Sequence, residues 1–519
     1  MDHRLLFRSL LQVILVPMLL AAGTACAQNP ATVAQNATAP AQNPATVAQN
    51  PAAPTQNPGA FSRTVGPIFA AKCTSCHGGQ KAEAGLRLDS WAGVMAGSRF
   101  GDVVIAHDAK RSLLARLVAG QETLDAHPGN LGERNVDDDE LQAIWTWISE
   151  GAPNDDGELP FAGDRDFVYV CNQGEASVSV IDAEAGVVAR VVDFRKLGFA
   201  ENAKPHHIVV EPDGSHWYVS LIGAGRVLKL NRDNEIVAFA ETPYPGLLAL
   251  DPNGDWLYVG RSMTAVSPPQ TVARIRRSDM TVAEEVEVFF TRPHALALSP
   301  DGRAVYAASL AENRMAAVDL STGDATLLGL DGPIHTIVQF AVSPKDGTVV
   351  GGGQLTGTLF VVEPASQAGP ARIVKTFEGP AAPWLLAFDA IGDRLYVPNK
   401  NAQRITVYDP ADWSVAATVE GDGIADPEGI VFSQDGRFLF VSNTNMHNGY
   451  TPRYDFGPGE DHSGMHLMPG MHGFATRPGT VTKIEVATGQ IVKVIEIGMA
   501  PTGIGSRGPA RIGGSSDPD

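Results

Sequence analysis

Cysteine is scarce in this chain. Its 519 residues include only 4 cysteines, too few for a disulfide framework. Cys73 and Cys76 share one short motif, Cys26 lies in the N-terminal leader, and Cys171 has no evident partner, so no structural disulfide is expected. Positive charge is also in deficit. Lys and Arg number 39 against 58 Asp and Glu, a formal net charge of −19. That argues against nucleic acid or an anionic membrane surface as partner. Aromatic residues make up only 7%, while glycine is plentiful at 54 residues, a balance that suits turn-rich β architecture. There is no Walker loop, no G-x-S-x-G elbow and no H-E-x-x-H pair. The apolar stretch Leu10–Ala22 is too short to span a bilayer comfortably.

That stretch follows the charged start His3, Arg4 and Arg8 and precedes Ala25-Cys26-Ala27, an A-x-A cleavage site. Residues 1–27 thus read as a secretory signal peptide. The other reading is a lipoprotein signal ending before Cys26, with Gly23-Thr24-Ala25-Cys26 as lipobox and an acyl anchor on Cys26. Either one predicts a periplasmic or extracellular protein, touching a membrane only through that anchor. Residues 28–59 are low complexity: AQNPATVAQN occurs at 27–36 and again at 41–50. Such text buries no core and reads as a linker.

Cys73-Thr74-Ser75-Cys76-His77 reads C-x-x-C-H, the attachment motif of a c-type haem. The thiols of Cys73 and Cys76 bond the haem covalently and His77 is the axial ligand of its iron. One haem c is therefore the expected cofactor, and electron transfer the baseline activity. Leu141, Ile144, Trp145 and Ile148 recur at helical spacing behind acidic residues, which predicts a helix over 137–149. The texts VGPIFAAKCTSCHGG, GLRLD, SLLARL and WISEGAP resemble the small cytochrome c domains of planctomycete type. The resemblance implies an all-α cytochrome c domain over 60–152, followed by a linker at 153–164. It also implies a methionine sixth ligand from an M-P-P segment, but this chain has Asp125-Ala126-His127-Pro128-Gly129 there. His127 is the candidate sixth ligand, with Met95 the alternative and an open or water-ligated iron the third option.

Residues 165–506 repeat one phrase: a proline, a strand, a P-D-G-like turn, then an aromatic strand ending near Y-V-x-N. Copies include KPHHIVVEPDGSHWYVS, RPHALALSPDGRAVYAAS and DPEGIVFSQDGRFLFVSN. Four strands per unit at about 40–48 residues predict a β-propeller. The array opens in mid-unit with FVYVCN and ends with APTGIGS, so strands from both ends would complete a seventh blade. The text resembles the Y-V-T-N family of seven-bladed propellers. The overall expectation is a multidomain chain, an all-α cytochrome c domain followed by an all-β seven-bladed propeller, with a disordered tail at 507–519.

In a propeller, the residues after each opening proline gather at one mouth of the central channel. Here they are His206, Gly246, His294, Trp384, Glu428 and Thr502, with His207 and His335 nearby. A His/Met-rich insertion at 444–478 follows V-S-N on the same face and carries His447, His462, His466 and His472. Imidazole and thioether together suit copper. The candidate copper ligands are His206, His207, His294, His335, His447, His462, His466 and His472, and the candidate catalytic residues are His206, His294 and Glu428. The arrangement is similar in outline to nitrous oxide reductase and thiocyanate dehydrogenase, which would imply a small inorganic substrate. It departs from them: no cupredoxin-type domain is present, and Trp384 and Glu428 occupy two blade starts. Three further readings stand beside copper. In the first, the histidines serve packing and hydrogen bonding in the channel alone. A second, non-covalent haem would fit the pairing seen in nitrite reductases with a d-type haem, whose propellers have eight blades. Or the propeller is a non-enzymatic scaffold that docks a redox partner protein.

Overall fold

The computed structural model describes residues 61–99, 101–121, 136–262, 269–452 and 477–508. The N-terminal part is helical. Helix α1 (Gly66–Lys72) has Pro67 in its first turn, where a missing N–H leaves no intrahelical bond unmade. Helix α2 (Thr74–His77) follows directly and carries the second thiol and the imidazole of the motif. Helices α3 (Trp91–Ala96) and α4 (Leu113–Val118) are short. Helix α5 (Asp138–Ser149) opens on a capping box in which Asp137 and Glu140 exchange bonds with each other's backbone N–H. Glu140 also pairs with Lys72 at 2.7 Å, tying α5 to the end of α1. The residues α5 buries most deeply are Ile144, Trp147 and Ile148. Trp147, rather than Trp145, enters the core because its indole N–H reaches the Pro153 carbonyl at 3.0 Å and its ring meets Phe61 and Phe69.

The rest is a seven-bladed β-propeller. Seven four-stranded sheets occur among the described residues. Strands β1 (Phe167–Asn172), β2 (Ser177–Asp182) and β3 (Val187–Asp193) form most of one blade. Its innermost strand is the last one described, Pro501–Gly505, which pairs antiparallel with β1. The closure expected from the repeat text is therefore present. The next blade begins with β4 (Pro205–Val210). Later blades begin at Pro245, Pro293, Ile337, Ala387 and Pro427.

The helical part packs on the closing blade. Ile105 enters a cluster with Val168, Val170, Val188 and Ile504. Asp102 accepts the backbone N–H of Val188 at 3.2 Å, and Arg111 reaches Glu175 in the β1–β2 connection at 3.2 Å. Among the described residues, no helix is long and apolar enough to cross a membrane.

Candidate functional site

Cys73 ends α1, and Cys76 and His77 lie on the single turn of α2. Both thiols are unpaired and partly exposed. Burial is the main influence on Cys73 and pushes its thiol up, with Lys72 pulling the other way. His77 donates from Nδ1 to the Glu83 carbonyl at 3.2 Å, which leaves the ring's lone pair on Nε2, the nitrogen an iron would take. The motif borders an apolar cluster containing Phe69, Leu86, Leu88, Val94 and Met95. Two thiols, an oriented imidazole and apolar walls fit a covalent haem c. Met95 is buried inside that cluster. His127 lies outside the described residues, so the choice of sixth ligand stays where the sequence left it.

The second site is in the propeller channel. His206, Leu247, His294, Val338, Trp384, Leu385, Glu428, Thr502 and Gly503 line a small cavity of about 10 Å³, room for about one water-sized molecule. Four of the side chains placed at the mouth by repeat position, besides Trp384, are therefore together: His206, His294, Glu428 and Thr502. The two imidazoles meet at their Nε2 atoms, 3.2 Å apart. His294 donates from Nδ1 to the Val338 carbonyl at 2.9 Å. Burial pushes the His294 pKa down to about 4, so the ring is neutral at pH 7. The Thr502 hydroxyl is buried and has no hydrogen-bond partner.

Glu428 pairs with Lys400, whose ammonium also bonds the Met446 sulfur at 3.2 Å and stands 4.5 Å from the Trp384 ring centre. Burial pushes the Glu428 carboxyl up, and Lys400 opposes that shift. The cavity wall thus holds two imidazoles, that of His294 neutral, with a compensated ion pair, an unused hydroxyl and apolar surface.

The other histidines of the expected set are elsewhere. His207 follows His206 on β4, and neighbouring side chains on a strand point to opposite sides. It accepts the Leu248 N–H at 3.3 Å, and burial pushes its pKa down to about 3. His335 precedes the strand beginning at Ile337. Its nitrogens contact Thr356 Oγ1 and the Asp331 carbonyl, each at 2.8 Å. His447 pairs with Asp426 at 2.7 Å and does not line the cavity. His462, His466 and His472 lie outside the described residues. Among the described residues, no group of three or more His, Cys, Asp or Glu gathers as a metal site.

Two polar neighbours were not anticipated. Gln173 places its amide nitrogen 3.5 Å from His206 Nδ1, and Lys400 anchors Glu428. Both directly follow the Y-V-x-N phrase, as Tyr169-Val170-Cys171-Asn172-Gln173 and Tyr396-Val397-Pro398-Asn399-Lys400. That shared repeat position was the available clue.

Comparison with known proteins agrees with this division of the chain. Residues 73–127 match the family of planctomycete cytochrome C. No match is found among curated proteins. Hydrazine synthase of Kuenenia stuttgartiensis is 20% identical, with 47% of this chain and 74% of that one covered at a TM-score of 0.40. A streptogramin B lyase is 14% identical, with 53% and 86% covered at 0.43. The dihydro-heme d1 dehydrogenase NirN is 13% identical, with 85% and 98% covered at 0.45. Residues 73–127, with the haem-attachment motif, thus match planctomycete cytochrome C, within a helical part followed by a seven-bladed β-propeller.

Proposed function

We propose that this chain is an exported oxidoreductase. The haem c held by Cys73, Cys76 and His77 supplies one-electron chemistry, and a small substrate reacts in the channel cavity. The observation that carries the reading is the meeting of His206 and His294 in that cavity, beside a hydroxyl with no partner. Two nitrogens bound to one metal at about 2.0–2.1 Å, at tetrahedral angles, stand about 3.3 Å apart. The observed 3.2 Å is close to that. A copper ion on these two imidazoles, completed by small exogenous ligands, is the finer form of the proposal. Glu428 is the wall group suited to give or take a proton, with Lys400 holding it in place. The cavity takes about one water-sized group, so the substrate would be a small inorganic molecule entering with movement of the wall, and a separate redox protein would pass electrons to or from the haem.

The test is iron and copper per chain on the haem-loaded protein, together with the pair His206→Ala and His294→Ala. One iron with copper is expected, and the pair should lose copper and turnover while the haem spectrum is unchanged. One iron with no copper after copper loading would overturn the copper form. Turnover surviving in the double variant would overturn the cavity as the site of reaction.

A second reading has its own observation. Tyr244, Phe289, Ile334 and Leu355 are exposed. They lie in connections at the mouth end of three successive blades. Such an arc suits a propeller that docks a redox partner without catalysis. Tight partner binding by a copper-free, inactive protein would favour it.

A further inference from the structure

The cavity wall defines the molecule that fits it without any movement. The inference rests on reading the cavity as the place of reaction. Four side chains reach the wall by one local device: where each of these blades opens, the inner strand has one residue more than its neighbour. Pro205 and His207 face Leu221 and Ser220, so His206 is the extra residue. His294 stands in the same way between Pro293 and Ala295, and Glu428 between Pro427 and Gly429. In the closing strand Pro501 faces Asn172 and Ile504 faces Val170, so Thr502 and Gly503 lie opposite Cys171 alone. Such a bulge re-aims a side chain, here onto the cavity.

Thr502 is fixed in that position. Its carbonyl accepts Ser442 Oγ at 2.6 Å. A Cβ on Gly503 would stand 2.0 Å from the His206 carbonyl oxygen, so the closing strand and β4 approach as only glycine permits. The Thr502 side chain is buried and stiff at χ1, and its hydroxyl has no hydrogen-bond partner. A buried hydroxyl costs stability until something bonds it. Leu247, Val338, Leu385 and Gly503 bring apolar surface to the same wall. The Nε2 atoms of His206 and His294 are turned on each other, and His294 Nδ1 is engaged with the Val338 carbonyl. The polar group left to share a ligand with Thr502 is the Glu428 carboxylate. Among the described residues, the Lys400 ammonium alone donates to it.

Three properties then select the occupant. The space takes about one water-sized molecule. Glu428 is already matched by Lys400 and His294 is neutral, so an ion finds no counter-charge in them. A carboxylate only accepts, whereas a hydroxyl both donates and accepts, so the molecule must itself donate a proton. A diatomic gas cannot, and a triatomic anion is wrong in size and in sign. Water and ammonia meet all three conditions.

We propose that the channel cavity is a binding site for one neutral, water-sized hydride, which donates to the Glu428 carboxylate and shares a hydrogen bond with the Thr502 hydroxyl.

The test compares wild type, Thr502→Ser and Thr502→Val in the full haem-loaded chain. Serine keeps the hydroxyl, and valine keeps the shape of threonine without it. High-resolution crystal structures should show a single density peak within hydrogen-bond distance of the hydroxyl and a Glu428 oxygen in wild type and Thr502→Ser. Thr502→Val should lose it. Titration of wild type with ammonia at alkaline pH, followed by NMR of the labelled Thr502 methyl, separates the two sources. A saturable shift assigns the site to ammonia, and no shift with the peak in place assigns it to water. Either result sustains the proposal. Sodium nitrite and sodium azide should leave the signal where it is. A wild-type cavity without a peak, a peak retained in Thr502→Val, or a saturable shift with either anion would overturn the proposal. A peak lost in Thr502→Val with turnover unchanged would sustain the site and take the reaction out of the cavity.

Discussion

Lys400 shows how a charge is kept inside a β-propeller. Its ammonium has three donors, and it meets a carboxylate, a thioether and an aromatic face. Removing one partner from a buried pair costs more than the pair itself contributes, because the other charge is left without compensation. Lys400→Met should therefore destabilise the propeller by about 3–5 kcal/mol at neutral pH. The double change Lys400→Met with Glu428→Leu should lie much closer to wild type. Denaturant midpoints of the haem-loaded protein would check this, and equal losses in the two variants would refute the account. The sign with pH follows from burial, which already pushes the Glu428 carboxyl up. Without Lys400 it rises further, so the single variant should be least harmed in acid and most harmed once pH passes the raised value.

Among the elements, the closing strand Pro501–Gly505 has the widest reach. Ile504 is buried in the cluster that also holds Ile105 of the helical part. Ile504→Ala should cost about 2–5 kcal/mol as a core truncation. The loss should lower the melting transition of the propeller and loosen the helical part on it, visible as faster proteolysis near Ile105. A transition at the wild-type position would mean that β1 holds the blade without this contact. The blades and their closure were legible because turn chemistry repeats: P-D-G turns and aromatic strands recur, and APTGIGS lacks a following hairpin. The cavity was legible in part. His206, His294, Glu428 and Thr502 follow from repeat position alone. His207 was misplaced because adjacent strand residues face opposite ways. His335 was misplaced because the fourth internal copy is irregular where it enters its blade. Gln173 and Lys400 share the position after Y-V-x-N, but which cavity side chain each one meets depends on the loops that ring closure brings side by side. The face of α5 was also only partly readable, since Phe61 and Phe69, which select Trp147, come from another segment.

At the scale of the whole molecule, the junction of the two parts holds a buried acid. Burial raises the Asp102 pKa from 3.8 to about 6, with the Val188 N–H and Lys493 pulling it back. A carboxyl raised in the docked state is easiest to bury when protonated. Docking is therefore strongest below about pH 4 and weakens as pH rises through about 6. Lys493 beside it is pushed down to about 8 by burial and stays charged through that window. The full shift corresponds to about 3 kcal/mol at most. Asp102→Asn keeps an acceptor for Val188 and should remove the dependence. Limited proteolysis of the helical part at pH 5 and pH 7 would show it, and a pH effect unchanged in the variant would assign it elsewhere. The closure of the ring by its own last strand has a consequence for biosynthesis. The ribosome delivers β1 early and its inner neighbour only at the very end. Through that interval β1 is an open edge, the kind of surface on which nascent chains aggregate. The helical part is complete before β1 emerges, and its Ile105 already fits the apolar patch that Ile504 will share. If the helical part packs first, it would cover this patch until the ring closes, and Ile105→Asp should then aggregate during refolding more than its final stability would predict.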